Sequence, residues 1–336
     1  MKVLFDCPLP FMLIHGGAQI QVEQTKAGLE SIGVEVEYLR WWDNRQKGDI
    51  IHYFGAPSTD FQKLARQKGV PLINTVLLSA TCNRSTFRLL TQALVTRMVL
   101  GIPFGESVKN QLVWRSYLNS DCIIVGLQAE KRVLELVYGV RDECVKVLPI
   151  GCEEPFLNAS PSSRAGDYLI CVGTISPQKR SLELAELAVD AQTPIVFVGK
   201  PYSESTPYWL RFNQFVADNS LIRYIPHLKS RFDLIKLLQN ARGFVLYSTF
   251  ENWCIAADEA AACRLPLLLP DLNWSRERFG PTVQYLKGNN RRKLVCDLRY
   301  FYDNCSRISP PAKPISWSEV GRLLRSIYEE VLSTSR

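Results

Sequence analysis

Short, β-branched apolar runs alternate with helical patterns along the whole chain, and few architectures accommodate that alternation. VLFD at Val3–Asp6 precedes a helix from about Gln19 to Ile32, and VEVEYL at Val34–Leu39 follows the helix-stopping Gly33. DIIHYFG (Asp49–Gly55), PLINTVLL (Pro71–Leu78), DCIIVG (Asp121–Gly126) and VKVLPIG (Val145–Gly151) continue the series. Helices are expected near Asp60–Lys68, over Ala129–Tyr138, and from about Ser85 to Leu118 with a break near Gly101–Pro103. Strands apolar on both faces, each followed by a helix, predict parallel sheets covered on both sides.

The pattern then stops and restarts. Asn158–Gly166 (NASPSSRAG) has the small, polar composition of a linker. Beyond it, YLICVG (Tyr168–Gly173), PIVFVG (Pro194–Gly199), IRYIPH (Ile222–His227), GFVLYST (Gly243–Thr249) and LPLLLPD (Leu265–Asp271) read as strands. Helices are expected at Ser181–Ala191, Ser230–Asn240 and Cys254–Cys263, with a final amphipathic helix over about Ser316–Leu332. A length of 336 residues suits two domains of this kind. The expected division is residues 1–155, residues 156–315, and a last helix at 316–336 returning to the first domain.

Composition narrows the function classes. No apolar run reaches the roughly 18 residues needed to span a bilayer, and Asp6, Pro8 and Pro10 interrupt the apolar start, which reads as a buried first strand. The +7 charge suits anionic small molecules or an anionic membrane surface more than nucleic acid. The 10 cysteines form no C-x-x-C pair, so buried thiols in a reducing, cytoplasmic setting are expected. His15, His52 and His227 lack zinc-ligand spacing.

Three segments carry candidate chemistry. Gly16 and Gly17 precede the first helix, where paired glycines either make a tight turn or let a phosphate approach backbone N–H groups. The dinucleotide pattern G-x-G-x-x-G is absent there. CVGTISPQKRS ends a strand at Gly173 and carries Thr174, Lys179 and Arg180 into a helix, where cations suit a diphosphate. STFENWCIAADEA places Glu251 and Glu259 eight residues apart, which is about 800° of helical rotation. The two carboxylates therefore share a ligand only if Glu251 precedes the helix and Glu259 lies inside it. The N–H groups of Asn252, Trp253 and Cys254 are then expected donors at the helix start.

Together these segments resemble the retaining glycosyltransferases of family 4, over nearly the whole chain. The matching features are Gly16–Gly17 followed by GVEV, the strand DIIH, VGTISPQK at Val172–Lys179, and Ser248 through Pro266 with its glutamate–seven–glutamate spacing. The resemblance implies the GT-B fold, two Rossmann-like doubly wound domains facing each other across a cleft. It implies an N-terminal acceptor domain and a C-terminal domain for a nucleotide diphosphate sugar. It places Glu259 on the ribose hydroxyls, and Glu251 and Lys179 in catalytic roles, Glu251 near the donor sugar and Lys179 on the diphosphate. Gly16, Gly17, Gly173, Thr174, Arg180, Asn252, Trp253, Cys254 and Ile255 complete the implied donor site. Thr174 stands where the family often has arginine, and Cys254 and Arg264 where it has glycine.

The activity so implied is transfer to an acceptor hydroxyl on a glycan, glycolipid or small molecule, of the kind used in polysaccharide biosynthesis. No D-x-D sequence occurs, so neither a metal nor another cofactor is expected. A nucleotide-sugar epimerase and a degenerate, non-catalytic transferase share the architecture and are the alternatives. Finally, Arg84–Arg115 interleaves Arg84, Arg88, Arg97, Lys109 and Arg115 with apolar residues and only Glu106 as an acid. Such a surface either is a solvated basic face or gives peripheral contact with an anionic membrane.

Overall fold

The computed structural model describes residues 1–8, 10–11, 16–101, 114–162, 166–226, 228 and 230–334. His15, His227, the expected break at Pro103, the segment holding Glu106 and Lys109, and part of the expected linker lie outside the described residues. The chain divides into two compact units, residues 1–151 with 317–336, and residues 152–316. Cys152, Glu153, Glu154 and Pro155, expected in the first domain, belong to the second unit. There the Cys152 N–H donates to the Ile315 carbonyl at 2.9 Å, and Cys152 bridges Ser316.

The first unit is a parallel sheet of β1 (Lys2–Asp6), β2 (Glu35–Tyr38), β3 (Ile50–Phe54), β4 (Leu72–Thr75), β5 (Cys122–Val125) and β6 (Val145–Val147). Its order is β2-β1-β3-β4-β5-β6. The inner strands β4 and β5 are buried throughout, which explains their unbroken apolar runs. Asn74 and Thr75 are the polar exceptions, and the Asn74 amide donates to Ser120 Oγ at 2.6 Å. The helices Gly17–Glu30 and Trp317–Thr334 pack backbone against backbone. A Cβ on Gly28 would lie 2.3 Å from the Trp317 carbonyl oxygen, so only glycine permits the approach. Tyr328 on the last helix meets buried His52 Nδ1 at 2.6 Å, and Thr75 Oγ1 meets Nε2 at 2.6 Å. Burial lowers the His52 pKa to about 3, so the imidazole is a neutral core group.

The second unit repeats the design with β7 (Leu169–Val172), β8 (Ile195–Val198), β9 (Ile222–Ile225), β10 (Gly243–Val245), β11 (Leu267–Pro270) and β12 (Gln284–Leu286). All pairings are parallel, in the order β12-β11-β10-β7-β8-β9. Strands are shorter than their apolar runs: β10 ends at Val245, and Leu246–Ser248 continue as a buried loop. Several elements lack an expected counterpart, among them β12, the short helix Glu154–Leu157 and the helices Pro207–Asp218, Asn273–Phe279 and Arg291–Asn304. The last is rich in charged residues, yet buries Leu294, Leu298 and Phe301 at helical spacing. Among the described residues no helix is long and apolar enough to cross a membrane.

Each sheet winds outward in both directions from a central pair of strands. The chain leaves β1 for β2 on one side and returns to β3 on the other; it leaves β7 for β8 and β9 and returns to β10. Crevices at the carboxyl ends of such strand pairs are where open α/β sheets hold ligands.

Candidate active site in the second unit

The loops that leave β7 and β10 at this switch point carry most of the expected donor residues. They are stitched together. The Thr249 N–H donates to the Gln178 carbonyl at 2.8 Å, and Gln178 Nε2 donates to the Phe250 carbonyl at 3.2 Å. Backbone geometry makes room for this. Gly173 has φ +156°, and a Cβ on Gly199 (φ +144°) would sit 2.1 Å from the Gly173 carbonyl oxygen. Thr174 leads from Gly173 into Ile175, whose N–H donates to the Lys200 carbonyl at 3.1 Å, tying the loop to the end of β8.

Lys179 and Glu251, the two expected catalytic residues, meet directly: Nζ donates to Oε1 at 2.5 Å. Both are largely buried, at 18% and 7% side-chain exposure, so the pair is shielded from bulk water. Burial pulls the Lys179 pKa down, but the Glu251 charge and hydrogen bond outweigh it and leave the ammonium raised. Cys254 is buried beside the pair, and burial pushes its thiol up to about 12. Its φ of −101° is ordinary for any residue, so a side chain in this glycine position costs no backbone strain. Arg264, the other residue in a glycine position, does take a left-handed φ of +63°, and its guanidinium donates to the Pro311 carbonyl at 2.8 Å.

Arg180 follows a different course. It caps the Ser181–Asp190 helix with a left-handed backbone, φ +51°, and its guanidinium lies 4.9 Å from the Tyr247 ring centre. The helix after Glu251 spans Ile255–Ala262 and is capped by Cys254, whose carbonyl accepts from the Ala257 N–H at 2.9 Å. Asn252 and Trp253 therefore precede the helix, and its first-turn N–H groups begin at Ile255, one residue later than the expected start at Cys254. The reason is the extended backbone of Cys254, which delays the first helical residue.

Glu259 lies inside that helix and is only 3% exposed. Arg231 Nη2 donates to its Oε1 and also pairs with Glu153 at 2.5 Å, while the guanidinium lies 4.7 Å from the Phe156 ring centre. Burial, the largest influence, lifts the Glu259 pKa to about 7 against the pull of Arg231. Its neighbour Asp258, also buried, accepts from Trp253 Nε1 and pairs with Arg278 at 2.7 Å. Burial raises Asp258 to about 6, with Arg278 and Trp253 opposing. Asp258 thus fixes the indole that lies between Glu251 and the helix. The sequence reading missed Arg231, Glu153, Asp258 and Arg278, because their ion pairs are set by packing between residues far apart in the chain, from Asp258–Arg278 to Arg231–Glu153. Gly16 and Gly17 belong to the first unit, where Gly16 takes φ +119° before its helix.

No family model matches the chain, and no curated protein matches it. Solved structures do. HepE of Anabaena, in complex with UDP and glucose, is 12% identical with a TM-score of 0.65, covering 98% of this chain and 99% of that one. Sucrose-phosphate synthase from Thermosynechococcus elongatus is 14% identical with a TM-score of 0.72, covering 99% of each chain. AviGT4, a glycosyltransferase of avilamycin A biosynthesis, is 17% identical with a TM-score of 0.58, covering 99% of this chain and 98% of that one. The chain has the fold of these proteins, the GT-B fold of glycosyltransferases, with two parallel six-stranded sheets.

Proposed function

We propose that this chain is a retaining glycosyltransferase that moves a sugar from a nucleotide diphosphate sugar to an acceptor hydroxyl. In this reading the second unit holds the donor and the first the acceptor. The observation that carries it is the buried Lys179–Glu251 pair at the switch point of the second sheet. An ammonium has three donors, so Lys179 keeps Glu251 while donating to a diphosphate oxygen. Negative charge grows on the diphosphate as the glycosidic bond breaks, and a fixed cation in a shielded site stabilises it. Glu251 accepts from the donor sugar's hydroxyls and orients the ring. Glu259 takes the ribose hydroxyls, with Arg231 favouring its ionised form.

Front-face attack by the acceptor needs no protein nucleophile, so the two-carboxylate scheme of glycoside hydrolases does not apply. The chain has no D-x-D sequence, which supports a metal-independent reaction. Leaving-group charge then falls to Lys179 and to N–H groups at the start of the Ile255–Ala262 helix. HepE, of the same fold, was crystallised with UDP-glucose, which makes uracil the first base to test.

The reading includes a peripheral place on the cytoplasmic membrane face. The Thr86–Gly101 helix buries Leu89, Ala93 and Thr96, and exposes Phe87, Leu90, Leu94 and Met98. At 100° per residue, Arg88 and Arg97 flank that apolar stripe on opposite sides, the pattern of a helix lying in an anionic lipid interface.

A thermal-shift screen with UDP, GDP and ADP tests the donor site. The matching diphosphate at 100 times its Kd stabilises by about 2.7 kcal/mol. Its nucleotide sugars are then hydrolysed or transferred with chelator present. No stabilisation by any of them, with no turnover of any nucleotide sugar, refutes the proposal.

A further inference from the structure

The first sheet has its own switch point, between β1 and β3, and a cavity of about 250 Å³ opens at its carboxyl edge. Cys7 follows β1, Phe54 and Ala56 end β3, Val76 follows β4, and Val22 closes the cavity from the first helix. Among the described residues no charged side chain lines it. Two of the polar groups on its wall are engaged already. The Thr75 hydroxyl meets His52 Nε2 at 2.6 Å, and the Gln19 amide donates to Glu23 at 2.8 Å. Sugars are held by many convergent hydrogen bonds, and anions by cations or aimed N–H groups; the described residues of this wall offer few of the first and no charged group for the second. An apolar ligand fits it, because such a group gains by leaving water and leaves no polar wall group unpaired.

We infer that this pocket takes the apolar part of the acceptor, a chain segment or ring system, next to the hydroxyl that receives the sugar. This deepens the transferase reading and rests on it for the word acceptor. An apolar cavity of about 150 Å³ accommodates benzene, so this one takes about ten carbon atoms. Either the first segment of a lipid or an aromatic small molecule supplies that chemistry.

Calorimetric titration with methyl, butyl, hexyl, octyl and decyl β-glucosides below their micelle concentrations tests it, with 2-naphthyl β-glucoside as a second arm. Affinity is expected to rise about fourfold per methylene buried and to level off near ten carbons. A preference for decyl over naphthyl identifies a lipid chain, and the reverse an aromatic group; either supports the pocket. Ala18→Trp fills the cavity from an exposed helix position, and Leu77→Asp puts a charge on its wall at a residue 47% exposed. Both variants are expected to bind octyl glucoside at least tenfold more weakly while nucleoside diphosphates stabilise them as they do wild type. Equal affinity from methyl to decyl, with naphthyl no tighter, or wild-type octyl glucoside binding by a folded variant, overturns the inference. If no diphosphate binds but the alkyl series keeps its slope, the pocket stands and the transferase reading falls.

Discussion

The Lys179–Glu251 pair makes opposite forecasts for its two members. Lys179→Met removes the cation proposed to hold the diphosphate. A hydrogen bond to a charged group contributes about 1.5–3 kcal/mol net. At about 1.4 kcal/mol per decade, nucleoside diphosphate affinity falls roughly 10–150-fold. Glu251→Gln keeps shape and volume but removes the carboxylate that holds Lys179 Nζ at 2.5 Å. The ammonium is then less neutralised, so affinity for the free diphosphate stays level or rises, while sugar transfer falls strongly. Both variants also lose stability, because each leaves a largely buried charge or dipole without its partner. Breaking a fully buried pair costs about 3–5 kcal/mol, and the 18% exposure of Lys179 moves the expected cost below that range. Isothermal titration of the diphosphate into each folded variant, with donor turnover measured beside it, reads all of this. Equal losses of diphosphate affinity in both variants, or none in Lys179→Met, would refute the reasoning, since the pair would then be a structural strut.

Two further outcomes are expected. Glu259 has its pKa raised from 4.5 to about 7, so its neutral form is favoured in the folded protein; its contribution to stability is full below pH 4.5 and lost as pH rises through about 7. Thermal melts across pH 4.5–8 should show wild type losing stability relative to Glu259→Gln over that window, and nucleoside diphosphate affinity rising over the same window as the carboxylate ionises. Replacing Phe87 and Leu94 together by serine should cut co-sedimentation with anionic vesicles about tenfold or more, and high salt should release the wild-type protein because it screens Arg88 and Arg97; equal binding to neutral vesicles would count against the membrane reading.

What was legible in the sequence was whatever depends on periodicity. The inner strands β4, β5, β7 and β8 are buried on both faces, so their apolar runs are continuous and their places were readable. The strand β12 is three residues long, and its QYL carries no such run. The Arg291–Asn304 helix hides its apolar stripe among charges that face solvent. At the site, the positions of Lys179 before a helix and Glu251 after a strand were readable, because both follow local patterns. Their contact was not, since it depends on β7 and β10 being neighbours, which is a property of the winding order. The burial of Glu259 was equally hidden. An Ala-rich helix says that it packs closely, not that a guanidinium from residue 231 closes over its carboxylate.

The two glutamates of the signature sit in environments that assign them different work. Glu251 faces a lysine, a compact charge on a flexible stem that is able to swing between carboxylate and phosphate without losing either. Glu259 faces an arginine held in place by Phe156 and Glu153, a rigid fork that is costly to move. A movable cation beside the bond that breaks suits a reaction in which charge appears only on the way to the transition state. A fixed cation suits a group that reads the same ribose in substrate and product. The seven residues between them are enough to supply both, because one glutamate ends on the loop from β10 and the other is carried inward by the helix. The contrast predicts where each acts: loss of Arg231 should weaken diphosphate and intact donor alike, as for uniform binding, whereas loss of Glu251 should appear in turnover.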